Sequence, residues 1–388
     1  VRRALALTAG LAVLGAVISA VALAGDPHRF AYGCLWAFAL AWTAALGALF
    51  FVALQHLTRS LWSVVVRRVA EALAASVGIV VLLAVPVVVF AWMDSTFHLF
   101  PWLDPDRLAA DPVVQAKAPY LDLRFLTLRL ALFCLLWWAA SRYFVGRSLS
   151  QDASPDPTPA ALGLRRWSAP FMVAFAFSVT FASFDLLMSL SPTWFSTIFG
   201  VYVFSGMFLA GLATITLAVL GLRARGLLGD GVIRDEHLYT LGGLMFAMSC
   251  FWAYIAFSQY LLIWSAGLPE ETGYYVLRIH EGWLGLTLAI PILRFVVPFL
   301  VLMSRPAKMS PRLLAAVSVL VLVGQALDLY WMVMPEAGAG IAVPSLADLG
   351  PLMLMAGATG VVVVRFLARY PAMPVGDPLL ARSIRFHL

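Results

Sequence analysis

The sequence predicts an all-α, polytopic membrane protein with ten transmembrane helices. Three observations predict it. Hydrophobic residues fill 62% of the 388 positions and charged residues only 12%, with mean hydropathy +0.92, a balance unlike that of a soluble domain. Ten stretches each supply the ~20 mainly apolar residues that a helix needs to cross a bilayer core. The joins between them collect Pro, Gly and charge, which end helices.

The spans begin near Leu5, Phe30, Val69, Phe125, Pro170, Trp194, His237, Tyr275, Leu313 and Leu349. The first, "VRRALALTAGLAVLGAVISAVALAG", has a basic start, an apolar run and a small-residue end at Ala22–Ala24, which is also the pattern of a cleaved signal peptide. Its apolar run is long for a signal, which favours an uncleaved helix. The longest joins run from Asp94 to Arg124 and from Arg147 to Arg166. The second contains "SLSQDASPDPTPAALGLRR", which reads as a polar, Pro-rich linker. No join is long enough for a separate soluble domain, so residues 1–388 read as one integral membrane domain. Spans offset by four point the same way. Weak likeness between "SRYFVGR" in the fourth and "LRFVVPFLVLMSR" in the eighth suggests parallel repeats.

Lys and Arg set the orientation. With the amino terminus in the cytoplasm, nineteen of the twenty-six basic residues fall in inside segments. Four, Arg29, Arg107, Lys117 and Arg124, fall outside, and Arg129, Arg278 and Arg294 lie in or at helices. Both termini are therefore expected inside. The same pattern explains the +6 net charge without nucleic acid. Cys34, Cys134 and Cys250 sit in apolar runs, and there is no CxxC or CxxCH, which argues against an iron–sulfur cluster or covalent haem in this chain. The six histidines lie at or beyond the ends of apolar runs, so a buried bis-His haem is not expected, and no metal site is read.

Charges in hydrocarbon cost several kcal/mol unless they face protein or water. Asp185, Arg294 and Asp328 therefore demand partners. Ser178, Asp185 and Ser189 repeat at seven and four, on one helix face. Asp185 and Asp328 are expected in the outer half, with His280 and Glu281 at the outer boundary. Arg294, sixteen residues beyond Arg278, is expected in the inner half with His237. Two polar half-sets around an apolar middle suit a proton path: Asp185, Asp328, Glu281 and His280 outside, Arg294 and His237 inside. The plainer alternatives stand beside it: Arg278 and Glu281 as an i,i+3 surface pair, and the buried charges as structural ties between helices. In "CFWAYIAFSQYLLIW", Trp252, Tyr254, Gln259 and Tyr260 place hydrogen-bonding groups in an apolar helix. With Ser189 they make a candidate quinol slot, a packed aromatic core being the alternative.

Two stretches are more specific. "FDLLMSLSPTWFSTIFGVYVFSG" (Phe184–Gly206) and "FSQYLLIWSAGLPEETGYYVLR" (Phe257–Arg278) resemble the polysulfide-reductase NrfD-like membrane subunits, most closely the ActF-type subunits of bacterial alternative complex III. The likeness runs through the second to tenth spans. The resemblance implies two four-helix bundles, spans 2–5 (about 30–190) and spans 6–9 (about 194–335), with spans 1 and 10 peripheral. It implies a place in a bacterial inner-membrane quinol:electron-acceptor oxidoreductase that delivers electrons to cytochrome c, with quinol or menaquinol as the ligand. It also implies partners: an iron–sulfur protein on the outer face, a second NrfD-like subunit and multihaem cytochrome c subunits. By the same resemblance Asp185 is a proton-handling or quinol-facing carboxylate. The outer loops "MDSTFHLFPWLDPD" and "SAGLPEETGYY" mix acids with apolar anchors, as a docking face does. A secondary transporter or proton-coupled exchanger, and a purely structural anchor, remain the competing readings of the residues themselves.

Overall fold

The computed structural model describes residues 2–106, 111–229, 231–280, 282–338 and 343–387. Among them there is no strand. Ten helices are long and apolar enough to cross a membrane: α1 (Arg2–Gly25), α2 (Pro27–Leu57), α3 (Val64–Trp92), α4 (Leu123–Asp152), α5 (Thr158–Leu190), α6 (Phe199–Arg223), α7 (Asp235–Ala266), α8 (Leu284–Leu302), α9 (Pro311–Ala337) and α10 (Leu346–Arg369).

Their starts follow local chemistry. Asp26 precedes Pro27 and accepts from the Arg29 amide at 3.0 Å, so α2 begins with a side-chain cap and a proline where no amide is needed. Asp122 caps α4 through the Phe125 amide at 2.8 Å. Ser310 precedes Pro311 at the start of α9, and Ser345 with Asp348 forms a capping box on α10.

Two boundaries differ from the sequence expectation. The segment 147–166 is not a linker. α4 runs through to Asp152 and α5 begins at Thr158; Pro155 and Pro157 lie in the short break between them, and Pro159 falls in the first turn, where proline is tolerated. The eighth span does not begin near Tyr275. Gly267, in the left-handed region at φ 63°, ends α7, and Pro269 opens a separate short helix, Pro269–Leu277. A turn through Gly282, at φ 88°, then leads into α8. Pro291 next removes an amide inside α8, and Ile292–Val296 continues as a π-turn that carries Arg294.

α2 and α6 form the centre. α2 packs against α3, α5, α6, α9 and α10, and α6 packs against α2, α5, α7 and α9. Gly47 and Gly211 make the α2–α6 crossing possible: a Cβ on Gly47 would lie 2.3 Å from the Met207 carbonyl oxygen. The indole of Trp36 on α2 donates to the Ala326 carbonyl on α9 at 2.7 Å. α1 lies antiparallel along α10, with Gly15 against Leu354 and Gly357 against Ala12. The opposite face of α1 is apolar and exposed, as at Leu7, Val13 and Val21.

Each end of the bundle is tied by polar contacts. At the arginine-rich end, Arg68 of α3 pairs with Asp152 of α4 at 2.7 Å and with Glu71 at 3.3 Å. Arg67 bonds Asp377 of the carboxyl-terminal segment, and the Gly376 amide donates to Asp152 at 2.9 Å. At the other end, Arg29 pairs with Asp348 of α10 at 2.7 Å, and Lys117 donates to the carbonyls of Pro192 at 2.6 Å and Trp194 at 3.2 Å.

Candidate functional site

Arg294 and Asp328 are both fully buried and meet each other. The π-turn points Arg294 across to α9. Its Nη1 donates to Asp328 Oδ2, and its Nη2 donates to Gln325 Oε1 at 2.7 Å, one turn earlier on α9. Tyr202 of α6 donates its hydroxyl to Asp328 Oδ1. The guanidinium lies 4.2 Å from the centre of the Trp252 ring on α7. Four helices thus converge on one ion pair. Gly206 and Gly324 clear the space: a Cβ on Gly324 would fall 2.4 Å from Arg294 Cγ, and one on Gly206 2.9 Å from Arg294 Nη2. Arg294 Nε has no partner among the described residues. The placement of Arg294 in an inner half-set apart from an outer Asp328 is therefore corrected. Arg294 lies ten residues into α8, about 15 Å from its start, because the chain turns before α8 rather than descending straight from Tyr275.

Asp328 of this pair borders a cavity of about 1020 Å³ between α7, α8 and α9. Tyr202 and Asp328 line it, with Trp252, Tyr254, Gln259 and Tyr260, and the rest of the lining is largely apolar. α7 touches the π-turn and the second half of α8, whereas the first half of α8 packs chiefly on α9 and the π-turn. The cavity is therefore a groove that opens sideways. Its rim includes Tyr254 at 66% and Leu288 at 57% exposure, on the surface that faces the hydrocarbon in a membrane-spanning helix bundle. Gln259 is internally satisfied: its amide donates to Tyr275 at 3.2 Å and its oxygen accepts from Ser196 at 3.0 Å. Burial holds the Tyr275 phenol up at about 12, so it stays protonated as that acceptor. Ser189, placed with this set by sequence, is elsewhere; its hydroxyl donates to the Asp185 carbonyl at 2.6 Å.

Asp185 has a cationic partner that its own helix does not show. Arg129 of α4 grips it with two bonds, Nε to Oδ2 at 3.0 Å and Nη2 to Oδ1 at 2.9 Å. The same guanidinium donates to the Tyr120 carbonyl at 3.1 Å and lies 4.0 and 4.1 Å from the centres of the Tyr120 and Phe125 rings. Ser178, one face-repeat away, accepts from the Trp137 indole at 2.9 Å. The face of α5 thus turns inward as a polar stripe that is satisfied by α4.

The other candidates separate from these two pairs. Arg278 is not a surface residue. It is fully buried, donates to the Trp331 and Met332 carbonyls at 3.1 Å each and to the Tyr274 carbonyl at 2.9 Å, and lies 3.6 Å from Glu336. It caps the end of α9, where carbonyls lack helical partners. His280 is exposed in the following turn, and Glu281 lies outside the described residues, as does Arg107. His237 is buried at the start of α7. One ring nitrogen accepts from the Arg234 amide at 3.0 Å and the other faces the Ser383 carbonyl at 3.0 Å, so it ties α7 to the carboxyl-terminal segment.

Sequence reasoning missed Tyr202, although it lies inside the quoted Phe184–Gly206 stretch, and it missed Arg129 as the mate of Asp185. It also missed Glu71, buried between Arg67, Arg68 and Ser148, whose hydroxyl donates to it at 2.7 Å. The signal for Glu71 was present: a carboxylate three and four residues after two arginines at the start of a span. Among the described residues no group of three or more His, Cys, Asp or Glu is arranged to hold a metal ion.

No protein-family model matches the chain, and no curated protein matches it. Fold and site together define a multi-pass helical membrane protein with two buried Arg–Asp pairs and a lateral apolar groove.

Proposed function

We propose that this chain is an integral membrane subunit of a quinol:electron-acceptor oxidoreductase complex and takes part in proton translocation. The observation that carries the reading is the Arg294–Asp328–Tyr202 cluster, an ion pair with a phenol attached, buried among four helices and bordering a groove. A buried ion pair is a poor stabiliser, and well-packed apolar residues do as well or better. Its retention in hydrocarbon is accounted for by work on charge or protons. A tyrosine hydroxyl bonded to a carboxylate can pass a proton to it and be reprotonated from its other side. In this reading Arg294 keeps Asp328 electrostatically balanced, and Asp185 with Arg129 forms a second station. In the same reading His280 marks the outer side and His237 the inner, uptake side.

The wider setting follows from the resemblance in Phe184–Gly206 and Phe257–Arg278. The complex sits in the bacterial inner membrane with both termini of this chain in the cytoplasm. Its α2–α5 and α6–α9 act as two four-helix bundles beside the α1–α10 pair. The partners are an iron–sulfur protein on the outer face, a second NrfD-like subunit and multihaem cytochrome c subunits, which carry the electrons onward. A structural-anchor reading has one specific support: both oxygens of Asp185 are already bound by Arg129.

One experiment separates the two. The assembled complex is reconstituted in proteoliposomes and acid release is measured per quinol oxidised, for wild type, Asp185→Asn and Asp328→Asn. Lower proton yield with intact assembly supports the proposal. Wild-type yield and turnover in both variants reject it, and loss of assembly in both supports the anchor.

A further inference from the structure

We infer that the arginine-rich end of the bundle holds a closed, hydrated site in which Glu71 binds an exchangeable proton, with residues 376–377 of the carboxyl-terminal segment as its lid. The inference goes beyond the reading above and does not depend on it, because it stands on the contacts around Glu71 alone.

Unpartnered polar atoms mark the site. Buried polar groups are nearly always hydrogen-bonded, to protein or to ordered water. Around Glu71, seven buried side-chain atoms have no hydrogen-bond partner among the described residues. They are Nε of Arg67, Nε and Nη1 of Arg68, Oε2 of Glu71, both amide atoms of Gln151, and Nε2 of His56. Arg67, Arg68, Glu71 and Gln151 are each at most 3% exposed. The group is contiguous. Glu71 Oε1 accepts from Ser148 of α4 at 2.7 Å, and Gln151 follows on the same face of α4, one turn on. His56 of α2 lies near Arg67 and faces the ring of Phe144, one turn before Ser148.

Charge then identifies the ligand. Glu71, Asp152 and Asp377 set three carboxylates against the two guanidinium groups of Arg67 and Arg68. His56 does not supply a third cation, since Arg67 beside it disfavours one. Three carboxylates repel an anion. A metal ion is opposed by the unpartnered atoms themselves: four are N–H donors of Arg67, Arg68 and Gln151, and two are oxygens. Water satisfies donors and acceptors alike, and one proton balances the charge.

Geometry places that proton on Glu71. Asp152 takes Arg68 Nη2 at 2.7 Å and the Gly376 amide at 2.9 Å, and Asp377 is bonded by Arg67. Glu71 receives only the Ser148 hydroxyl and two guanidinium nitrogens at 3.3 and 3.7 Å. It is fully buried, whereas the Asp152 side chain is 14% exposed. With Oε1 held by Ser148, the proton belongs on Oε2, from which it can donate to Gln151 Oε1 directly or through water. Asp152 forms the mouth and Gly376 covers it. A Cβ on Gly376 would fall 2.1 Å from the Gln151 carbonyl oxygen, so only glycine seats the lid. Further along the segment, Ser383 donates to the Trp62 carbonyl at 3.3 Å. The proton exchanges with water when the 376–377 lid lifts.

The test is infrared spectroscopy of the full chain in lipid nanodiscs at neutral pH, read at the C=O stretch of protonated carboxyl groups. One band should shift with isotope-labelled glutamate, stay unmoved by labelled aspartate, and vanish in Glu71→Gln, which keeps the shape and an oxygen for Ser148. Asp377→Asn removes one negative charge and should abolish the same band by ionising Glu71, which a merely structural tie would not do. Ser148→Ala should raise the frequency of the band, because its C=O loses a donor. Gly376→Ala should speed deuterium exchange of the band at least about fivefold, as local opening becomes easier. Absence of a glutamate band, or its persistence in Glu71→Gln, would overturn the site. If Glu71→Gln does not fold, an unshifted band in Ser148→Ala overturns it instead. Unaltered exchange in Gly376→Ala overturns the lid. None of these readouts uses quinol or proton yield, so this inference and the reading above fail separately.

Discussion

Removing Asp328 alone should cost far more than removing it together with its partner. In Asp328→Leu the Arg294 guanidinium stays fully buried, with only Gln325 and the face of Trp252 to stabilise it. Breaking a buried ion pair on one side costs about 3–5 kcal/mol. Asp328→Asn keeps an oxygen facing Arg294 and should cost less, about 1–3 kcal/mol. Replacing both, as Arg294→Met with Asp328→Leu, removes the stranded charge. What remains is the Tyr202 hydroxyl, which has lost its acceptor, worth about 1–3 kcal/mol. Adding Tyr202→Phe should remove most of that too. A double-mutant cycle, read by reversible SDS or thermal unfolding in nanodiscs, should therefore give a coupling energy of about 3 kcal/mol between Arg294 and Asp328. Single losses below about 1 kcal/mol, or a double variant equal to the sum of the singles, would refute the reasoning and mean the pair is hydrated.

Further outcomes follow from the same contacts. Gly324→Ala sets a Cβ 2.4 Å from Arg294 Cγ and should destabilise by about 1–3 kcal/mol through displacement of the guanidinium, seen as a lowered unfolding midpoint. Gly47→Ala meets backbone rather than a side chain, 2.3 Å from the Met207 carbonyl oxygen, so it should reduce the yield of folded chain more than Gly324→Ala does. Arg129→Met strands Asp185, and its cost of about 3–5 kcal/mol should fall when Asp185→Leu is added. Lys117→Met frees the Pro192 and Trp194 carbonyls and should raise amide exchange in the 191–198 turn while leaving the midpoint within about 1 kcal/mol.

The ten helices were legible because a membrane demands one thing of each, about twenty apolar residues. The starts read near Phe30 and Leu313 fall within three residues of the helices opened by Asp26–Pro27 and Ser310–Pro311. Partnerships were not legible. Asp185 and Arg129 are 56 residues apart, and only packing brings them together. The depth of Arg294 failed for a smaller reason: counting sixteen residues of helical rise from Arg278 takes no account of the turn at Gly282. The 147–166 segment was read as a linker throughout, whereas Pro155 and Pro157 break the chain only between Asp152 and Thr158 and Pro159 sits in the first turn of α5. Trp252, Tyr254, Gln259 and Tyr260, grouped by sequence, line one groove along α7. Ser189 was added for its offset of four from Asp185, and that offset is an ordinary bond from a serine to the carbonyl one turn back.

The central position of α2 has a consequence for how the chain is made. α2 leaves the ribosome before its partners α6, α9 and α10, which follow it by well over a hundred residues. The Trp36 indole must wait 290 residues for the Ala326 carbonyl. Gly47 stays uncovered until α6 is made, and the face around Trp36 until α9 arrives. During synthesis α2 must be held by the insertion machinery or paired temporarily with α3 and α5. The packing around α2 is therefore completed late, when α9 and α10 close over a helix made long before them.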